Sequence, residues 1–503
     1  MSEEIKKTMA EEALPEDAPA MPQDAAVEEK PAEEIFEPEE LPEWKVAGIF
    51  SSHMVLQRER PITVWGWSSH SGAPVTGCWG DEIVTAQVDE NGRFALTFAA
   101  RPSSFVPTEM TIRSDHGCVT FRDILVGDVW VIGGQSNAEL NLAPCLGVTP
   151  EIAATLDGSM PIRLFRQTQY GAVNCKRFHN TPSRDIILPE WCWNLPDEEN
   201  ARQFSAIGYY FARLITEQVA VPVGVVMMCA GGACLRELMP VELAHSLGYT
   251  TGANVPVAGY YNTLIHPLEG LQFKGQIFFQ GESEGIWKEM ALSYDTDLAA
   301  FVADERARFG FEFPFYNIQL SSYRDECDAY FKHLYWVRSR QLRAVDIIPR
   351  SYMAVARDLG SLPGDPDFAH SQYKYPLAKR VAAQVLAEEY GIGTLEKANS
   401  PMPVCAVRKG DTVEVRFSCA AGGLTTSDGK ALCGFSFMNE AGEEVAAEAV
   451  ITGADVVTVT LPEAVDTAEV HYAMYNKVYM EQANLCRTDG MPAPAFVLPV
   501  KNA

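Results

Sequence analysis

The stretch Asp123–Leu140, DILVGDVWVIGGQSNAEL, decides the fold class of this chain. It begins as a continuous apolar run with the length of a buried strand, and it ends in two glycines followed by the serine of GGQSN. Glycine tolerates the backbone angles of tight turns and serine caps helices, so such a pattern is usually turn chemistry alone. A catalytic interpretation of Ser136 therefore requires a base, an acid and oxyanion donors elsewhere in the chain.

Four further apolar runs follow the first at intervals that leave room for helices. These runs are VPVGVVMMCAGG (221–232), KGQIFFQGES (274–283), FPFYNIQLSS (313–322) and SYMAVARDLG (351–360). The segments with apolar residues at three- and four-residue spacing are ARQFSAIGYYFARLITEQ (201–218), SYDTDLAAFVADERARFG (293–310), YFKHLYWVRSRQLRAVD (330–346) and YPLAKRVAAQVLAEEYG (375–391). Strand and helix in alternation predict an α/β domain over 123–394 with a parallel, doubly wound sheet.

The segments on either side of this domain have a different pattern. Residues 45–122 contain short runs typical of strands, separated by Asn-Gly, Pro and Gly turns, and predict an antiparallel β-sandwich. The pair Asn91-Gly92 is its clearest signal for a hairpin, between VTAQVDE and RFALTF. Short strands return in 395–503, which predicts a second, carboxy-terminal β domain.

Composition and charge narrow the class of protein. With 503 residues and 47% hydrophobic content, the chain is long enough for two or three packed domains. Its net charge is −27, and residues 1–44 contribute −12 of it, with 15 acidic against 3 basic residues. This tail, rich in Pro, Ala and Glu, is expected to be disordered. The remaining acidity argues against binding to nucleic acids or anionic membranes.

Other features of the sequence predict the compartment and the absence of cofactors. No run of eighteen apolar residues is present and the amino terminus has no signal-like apolar region, so a cytoplasmic protein is expected. The twelve cysteines form no CxxC pair and are expected to be reduced thiols. Without zinc-ligand spacing or a GxxxxGK[ST] loop, neither a metal nor a cofactor is predicted. The sequence indicates no oligomeric state.

Polar residues follow the ends of the predicted strands. In an open parallel sheet, ligands bind beyond the carboxyl ends of the strands. Ser136 follows the first strand, Gly232 the second and Gln280 the third. The backbone N–H groups of Ser136 and Gly232 and the side-chain amide of Gln280 are therefore candidate donors to an oxyanion.

A base for Ser136 is predicted after the last strand. His370 leads into the closing helix, and Asp367 precedes it by three residues, so one loop can present an imidazole and a carboxylate together. His266, which precedes the third strand, is the alternative base. Together with Ser136, the pair His370 and Asp367 indicates acyl transfer.

Four motifs and both flanking regions resemble the sialate O-acetylesterases, a branch of the SGNH hydrolase superfamily. The motifs are GDVWVIGGQSNAEL (127–140), VPVGVVMMCAGGACLREL (221–238), FFQGESEG (278–285) and HSQYKYPLAKRVA (370–382). The chain departs from the family at Ala138, Ser371 and Glu284, where Met, Pro and Asn are usual. The resemblance implies a flavodoxin-like three-layer domain with a parallel sheet, flanked by amino-terminal and carboxy-terminal antiparallel β-sandwich domains.

The resemblance also implies a serine esterase that works without a metal and removes O-acetyl groups from small sugars, typically 9-O-acetylated sialic acids. The implied roles are the nucleophile for Ser136, oxyanion donors for Gly232 and Gln280, and the base for His370. The group that orients the base is Asp367, with Asp358, Asp365 or a backbone carbonyl as alternatives.

Three residues are predicted to contact the substrate, and two other functions stay open. Trp287 could stack on a sugar face, Arg236 could pair with a sialate carboxylate, and Glu282 is the third predicted contact. The first alternative is an acetylesterase for other saccharides, such as acetylated xylo-oligosaccharides. The second is a carbohydrate-binding protein whose catalytic site has decayed.

Overall fold

The computed structural model describes residues 39–502 except 149–155, 175, 179, 324–330, 363, 364, 366, 368, 464, 466, 467 and 475–481. Most of the predicted acidic tail lies outside the described residues. From Leu41 onward the chain forms one compact unit, in which Leu41 and Trp44 pack against the hydrophobic core. Among the helices that the structure describes, none has the length and hydrophobicity needed to cross a bilayer.

The secondary structure comprises 24 strands and ten α-helices in the described residues. The strands are β1 (Lys45–Val46), β2 (Val55–Gln57), β3 (Ile62–Trp67), β4 (Pro74–Trp79), β5 (Glu82–Gln87), β6 (Arg93–Phe98), β7 (Ser104–Ser114), β8 (Gly117–Gly134), β9 (Ile162–Phe165), β10 (Trp193–Asn194), β11 (Val223–Cys229), β12 (Gly275–Phe279), β13 (Phe315–Gln319), β14 (Ser351–Val355), β15 (Met402–Lys409), β16 (Thr412–Ser418), β17 (Leu424–Thr426), β18 (Phe435–Met438), β19 (Glu444–Ala446), β20 (Ala449–Ile451), β21 (Val456–Thr460), β22 (Glu469–Tyr472), β23 (Leu485–Arg487) and β24 (Phe496–Asn502). The helices are α1 (Ser136–Glu139), α2 (Gln169–Asn174), α3 (Glu198–Arg202), α4 (Ala206–Val219), α5 (Leu235–Leu238), α6 (Val241–Ser246), α7 (Lys288–Phe309), α8 (Leu334–Ile347), α9 (Lys374–Glu389) and α10 (Leu395–Ala398).

The central strands form the predicted parallel sheet. Its order is β11-β8-β12-β13-β14, with every neighbouring pair parallel. These are the five strands predicted from the apolar runs, and their order, second-first-third-fourth-fifth, is that of flavodoxin-like sheets. Strands β9 and β10 extend the sheet beyond β11. The mixed α/β class is therefore confirmed, and the point where the strand order reverses lies between β8 and β12.

Strand β8 belongs to two regions of the molecule. Its first part pairs with β7 and β2, whereas its last part pairs with β11 and β12. From Ile124 to Gly134 the strand is buried throughout, as the continuous apolar sequence predicts. The boundary predicted between residues 122 and 123 thus falls inside one continuous strand, which carries the chain from the antiparallel strands into the parallel sheet.

The four helices predicted from the apolar spacing are present as α4, α7, α8 and α9. The Ser205 hydroxyl caps α4 by accepting a hydrogen bond from the N–H of Gly208. Helix α4 packs against α9, and α7 packs against α8. Each helix presents apolar residues to the core, so packing of these faces holds the helices in place.

The flanking strands form antiparallel sheets. The first contains β1, β3 and β6, and the carboxy-terminal sheet has the order β19-β18-β22-β24-β15-β16-β21-β20, with only β15 and β24 parallel. The predicted hairpin at Asn91-Gly92 is wrong, because β5 pairs with β4 whereas β6 pairs with β3. The turn is present, but it joins β5 and β6, which belong to two different sheets. The local sequence predicts the turn and does not specify which strand each of the two pairs with.

Candidate active site

The two glycines after β8 allow the chain to turn sharply at the centre of the sheet. Gly134 has a φ of +126°, and a Cβ atom at this position would collide with the backbone carbonyl of Phe279 at the end of β12. The N–H of Gln135 donates to that same carbonyl at 3.1 Å. Helix α1 then begins at Ser136, which is half-buried. The GG sequence therefore positions Ser136 at the point where the strand order reverses.

His370 and Asp367 form the predicted pair. The Nδ1 atom of His370 lies 2.8 Å from Oδ2 of Asp367, whose Oδ1 accepts the N–H groups of Ala369 and His370. Partial burial opposes ionisation of Asp367, but the hydrogen bonds and the imidazole charge outweigh it and lower its pKa to about 2. An ionised carboxylate only accepts hydrogen bonds, so the proton is on Nδ1. The Nε2 atom of His370 is then the nitrogen that can act as a base.

Asn137 joins the serine turn to the histidine loop. Its side chain is buried, and Nδ2 donates to the backbone carbonyl of Ala369 at 3.2 Å. Asn137 directly follows Ser136, and Ala369 directly precedes His370. This hydrogen bond therefore limits how far the two loops can move apart.

Three other buried side chains orient the Asn137 amide. Nδ2 also donates to Oε1 of Glu282 at 2.7 Å, an atom that accepts the Tyr323 hydroxyl at 2.6 Å. Oδ1 accepts the Lys374 ammonium at 2.7 Å. Burial lowers the pKa of Lys374 to about 8, although Cys145 and nearby carboxylates oppose this shift. The amide nitrogen of Asn137 thus has an acceptor and the amide oxygen has a donor. Four residues take part in these hydrogen bonds, and we call them the buried network: Asn137, Glu282, Tyr323 and Lys374.

The turn after β11 is held by its own set of contacts. Gly232 has a φ of +73°, and its carbonyl accepts the Ser283 hydroxyl at 2.7 Å and the Asn254 amide at 2.8 Å. The N–H of Gly231 donates to Oε2 of Glu139 at 3.0 Å. Burial raises the pKa of Glu139 to about 7, against the opposing effects of this hydrogen bond and of nearby positive groups. Glu139 therefore ties the end of α1 to the glycine turn.

The side chain of Gln280 does not point where its predicted role as an oxyanion donor requires. The residue is fully buried, and its Nε2 atom donates to the carbonyl of Ala233 at 3.0 Å and to Oε2 of Glu284 at 2.5 Å. Its Oε1 atom accepts the Tyr294 hydroxyl at 2.9 Å. Both amide protons are engaged inside the protein, so in this structure the side chain supports the glycine turn and does not face an open site.

The other candidates for base and orienting acid have different partners. The Nδ1 atom of His266 lies 2.9 Å from the carbonyl of Ser183. Asp358 binds Arg380 through both carboxylate oxygens at 2.6 Å. Oδ2 of Asp365 accepts the N–H of Leu362 at 2.6 Å. Of the three acids, Asp367 is the one hydrogen-bonded to His370.

Two of the predicted substrate contacts are buried side chains. Arg236 is 6% exposed, and its guanidinium lies 5.1 Å from the centre of the Trp287 ring and 3.6 Å, through Nη1, from the sulfur of Met290. Glu282 is 2% exposed and belongs to the buried network. Arg236 and Trp287, predicted to contact the sugar separately, contact each other. The reason is that the turns after β11 and β12 fold inwards, which sequence spacing does not reveal.

A cavity of about 530 Å³ lies at the end of α1. It is lined by Glu139, Leu164, Arg166, Thr168, Gln169, Glu190, Trp191, Asn194, Asn200, Gln203 and Phe204. The lining contains none of the three predicted substrate contacts. Apart from Glu139, these residues come from β9, β10, short helices and the loops beside them, which carry no recognisable motif, so sequence reasoning missed them.

Sequence reasoning also missed Asn137, Lys374 and Glu139, although all three lie inside the quoted motifs. Their position in the sequence was the available signal, because Asn137 and Glu139 are one and three residues after Ser136, and Lys374 is four residues after His370. Among the described residues, one group has the spacing of metal ligands, Glu43 with His70 and His116. The two imidazole rings are stacked at 3.5 Å and nearly parallel, so their nitrogen lone pairs do not converge on one point.

Comparisons with known proteins show which families and structures this chain is similar to. Residues 189–387 match the family model described as carbohydrate esterase, sialic acid-specific acetylesterase. This range includes Gly232 and His370, whereas Ser136 precedes it. Human sialate O-acetylesterase is 24% identical over 389 residues, which cover 69% of this chain and 71% of the human protein. The mouse sialate O-acetylesterase is 23% identical over 411 residues, covering 69% and 74%.

Among solved structures, a carbohydrate acetylesterase from Xanthomonas citri is similar over most of the chain. It is 26% identical, with a TM-score of 0.77, and the similarity covers 90% of this chain and 99% of the Xanthomonas chain. The flanking antiparallel regions are thus part of the shared architecture.

Proposed function

We propose that this carboxylic ester hydrolase, which is similar to the sialate O-acetylesterases, removes O-acetyl groups from sugars through an acyl-enzyme on Ser136. The observation that carries the proposal is the hydrogen bond between Nδ1 of His370 and Asp367, in a loop that Asn137 ties to the serine turn. A nucleophile, a base and an orienting acid are the minimum set for this chemistry.

In the first step, Oγ of Ser136 attacks the acetyl carbon while its proton passes to Nε2 of His370. The tetrahedral intermediate then collapses, the bond to the sugar oxygen breaks, and that oxygen takes the proton from Nε2. In the second step, water gives a proton to Nε2 and attacks the acetyl-serine. Acetate leaves and Ser136 regains its proton. Asp367 stays ionised throughout and stabilises the imidazolium that forms in each step.

The developing oxyanion requires donors that are in place before the reaction. We assign this role to the backbone N–H groups of Ser136 and Gly232. Gln280 and Glu139 act behind them, because Gln280 binds the carbonyl of Ala233 and Glu139 binds the N–H of Gly231. Both neighbours of Gly232 are therefore fixed by side chains of adjacent elements.

The proposal extends to the fold. The strand order of the parallel sheet is in keeping with the flavodoxin-like three-layer domain of SGNH hydrolases, and the antiparallel sheets with β-sandwich domains on either side of it. The architecture matters for the mechanism because Ser136 and His370 follow the first and last strands of one sheet.

The names of the similar proteins suggest O-acetylated sialic acids as the first candidate substrate, and the sequence resemblance implies the 9-O-acetylated forms. Acetylated neutral saccharides, such as xylo-oligosaccharides, are the second candidate. The cavity favours this second class, because its lining has two carboxyl groups and one guanidinium and therefore offers no surplus positive charge to an anionic sugar.

The first test is acetate release from both substrates by the unaltered protein and by Ser136→Ala. We expect release from at least one sugar and its loss in the variant. Ser71→Ala, an exposed serine between β3 and β4, serves as the matched control and should keep full activity. Undiminished release by Ser136→Ala would reject the acyl-enzyme. Labelling by an active-serine probe, absent in Ser136→Ala, separates an esterase with another substrate from a binding protein.

A further inference from the structure

We propose that the cavity at the end of α1 binds an uncharged, hydroxyl-bearing sugar ring of the acetylated substrate. The proposal rests on the proposed function and assigns a substrate class to the same site. It concerns residues from five separate elements, α1, β9, α2, β10 and α3, with their adjoining loops.

The cavity is adjacent to both turns of the site. Glu139, in its wall, is the last residue of the four-residue helix that begins with Ser136. The same carboxylate accepts the N–H of Gly231. Gln169, also in the wall, lies against this glycine, since a Cβ atom on Gly231 would be 2.8 Å from the Gln169 amide nitrogen. A ring held in the cavity would therefore contact residues that adjoin the serine turn and the glycine turn, although Ser136 and Gly232 do not line the cavity themselves.

The polar groups in the wall suit hydroxyl groups. Four amide side chains line the cavity, those of Gln169, Asn194, Asn200 and Gln203. The Nδ2 atom of Asn194 donates to the carbonyl of Cys192 at 2.9 Å, and the Nδ2 atom of Asn200 donates to Oδ2 of Asp197 at 3.1 Å. The side-chain carbonyl oxygens of both residues can therefore accept hydrogen bonds from a ligand. Amides both donate and accept, as sugar hydroxyls require.

The charges in the wall argue against an anionic ring. Arg166 is the one basic residue of this described lining, and Nη1 already donates to Oε1 of Gln203 at 3.1 Å. Glu139 and Glu190 supply two carboxyl groups. A ligand carboxylate would meet both of them, and burial raises the pKa of Glu139 to about 7, which shows that this environment already disfavours a further negative charge.

The Arg166 guanidinium can also donate a hydrogen bond to a neutral ligand. Its Nε atom is buried and has no hydrogen-bond partner among the described residues. A sugar hydroxyl or ring oxygen could accept this N–H, which would remove the cost of an unsatisfied buried donor. The volume of about 530 Å³ lies within the range of small-molecule sites, roughly 300–1,000 Å³.

Binding to Ser136→Ala tests the proposal, because this variant does not consume the substrate. We expect acetylated xylo-oligosaccharides to bind in titration calorimetry. Gln203→Ala and Asn200→Ala in the Ser136→Ala background should each weaken binding about three- to tenfold, as expected for the loss of one hydrogen bond. Glu199→Ala, an exposed residue of the same α3 helix outside the lining, should bind like its parent. Binding that both cavity substitutions leave unchanged would overturn the proposal.

The charge of the ligand is tested with one sugar in two forms. The methyl ester of 9-O-acetyl sialic acid should bind Ser136→Ala more tightly than the free acid, by about threefold or more at pH 8, where Glu139 is ionised. Tighter binding of the free acid would overturn the assignment of an uncharged ring. Acetate release by the unaltered protein is measured in parallel. If the sugar binds to the cavity but the unaltered protein releases no acetate, the proposed function is rejected. If acetate is released but the cavity substitutions leave sugar binding unchanged, only this inference is rejected.

Discussion

Two sets of charged groups flank Ser136, and they differ in their access to water. The side chains of His370 and Asp367 are 28% and 39% exposed, whereas Lys374 and Glu282 in the buried network are each 2% exposed. The exposed pair has an acid whose pKa falls to about 2, and the buried network has a lysine whose pKa falls to about 8. In the first set hydrogen bonding decides the pKa, and in the second burial decides it.

This difference separates two tasks. A base must exchange protons with water in every cycle, which the partly exposed His370 can do. The buried network cannot exchange protons readily, but each of its hydrogen bonds is stronger in a medium of low dielectric constant and fixes a side chain more firmly. We therefore regard Asn137, Glu282, Tyr323 and Lys374 as positioning residues and His370 as the catalytic base.

The largest effect is expected at the exposed pair. His370→Ala should lower kcat by a factor of about a thousand or more, because the proton of Ser136 then has no acceptor. The measurement is the initial rate of acetate release, with thermal unfolding as a control for folding. Lys379→Ala, in the same α9 region but outside the site, should keep full activity. A loss of less than tenfold would mean that another group acts as the base.

Asp367→Asn should have the next largest effect, about a hundredfold in kcat with KM little changed, since an amide no longer holds the imidazole with Nδ1 protonated. The comparison variant is Asp358→Asn, which breaks the ion pair with Arg380 and should lower stability more than kcat. If Asp358→Asn reduced kcat and Asp367→Asn did not, the orienting acid would be Asp358.

The buried network should have a smaller and different effect. Asn137→Ala should lower kcat by about tenfold to a hundredfold, because Ala369 loses its contact with the serine turn. Lys374→Met should lower kcat less, by about tenfold, and should lower the melting temperature, because Oδ1 of Asn137 loses its buried donor and Glu282 loses a nearby positive charge. The measurements are kcat for acetate release and the melting temperature of both variants. A lower melting temperature together with unchanged kcat in Lys374→Met would indicate a purely structural role.

The smallest predicted effect concerns pH. The pKa of Glu139 is raised from 4.5 to about 7, so the residue is ionised above pH 7 and becomes protonated as the pH falls through this value. Protonation weakens its hydrogen bond with the N–H of Gly231, so kcat should fall by a few fold on this acidic side.

Glu139→Gln, which cannot ionise, should remove this component of the kcat profile. Asp367, with a pKa of about 2, does not titrate in the same range, whereas the charges of Arg166 and His370 act on Glu139 and shift its midpoint. An unchanged profile in Glu139→Gln would assign the acidic side to another group.

The sequence predicted what depends on local pattern. Continuous apolar runs indicated the five parallel strands, and three- and four-residue spacing indicated α4, α7, α8 and α9. The order of these elements required Ser136 and His370 to follow strands of the same sheet. Asp367 was predicted from its three-residue distance to His370, a distance that one loop can bridge, and the structure joins the two by a hydrogen bond.

Other predictions depended on which way a side chain points, and there the sequence was insufficient. Three residues follow strand ends, as predicted, yet their side chains turn into the protein. Gln280 donates to the carbonyl of Ala233, Glu282 accepts from Asn137, and Arg236 lies over the ring of Trp287. The hairpin at Asn91-Gly92 failed for a related reason, because the turn residues specify a change of direction but not the pairing partner.

The sequence by itself therefore determined the strands, the helices and the type of residue at each strand end, because these follow from the period of apolar residues and from turn chemistry. Only the tertiary structure decided which of the predicted residues stay partly exposed, as His370 and Asp367 do, and which are buried, as Gln280 is. The physical reason is that hydrogen bonds such as Asn137 to Ala369 join residues 232 positions apart, and their partners are chosen by packing. The cavity at the end of α1 arises in the same way, from short elements that lie together only in the folded chain.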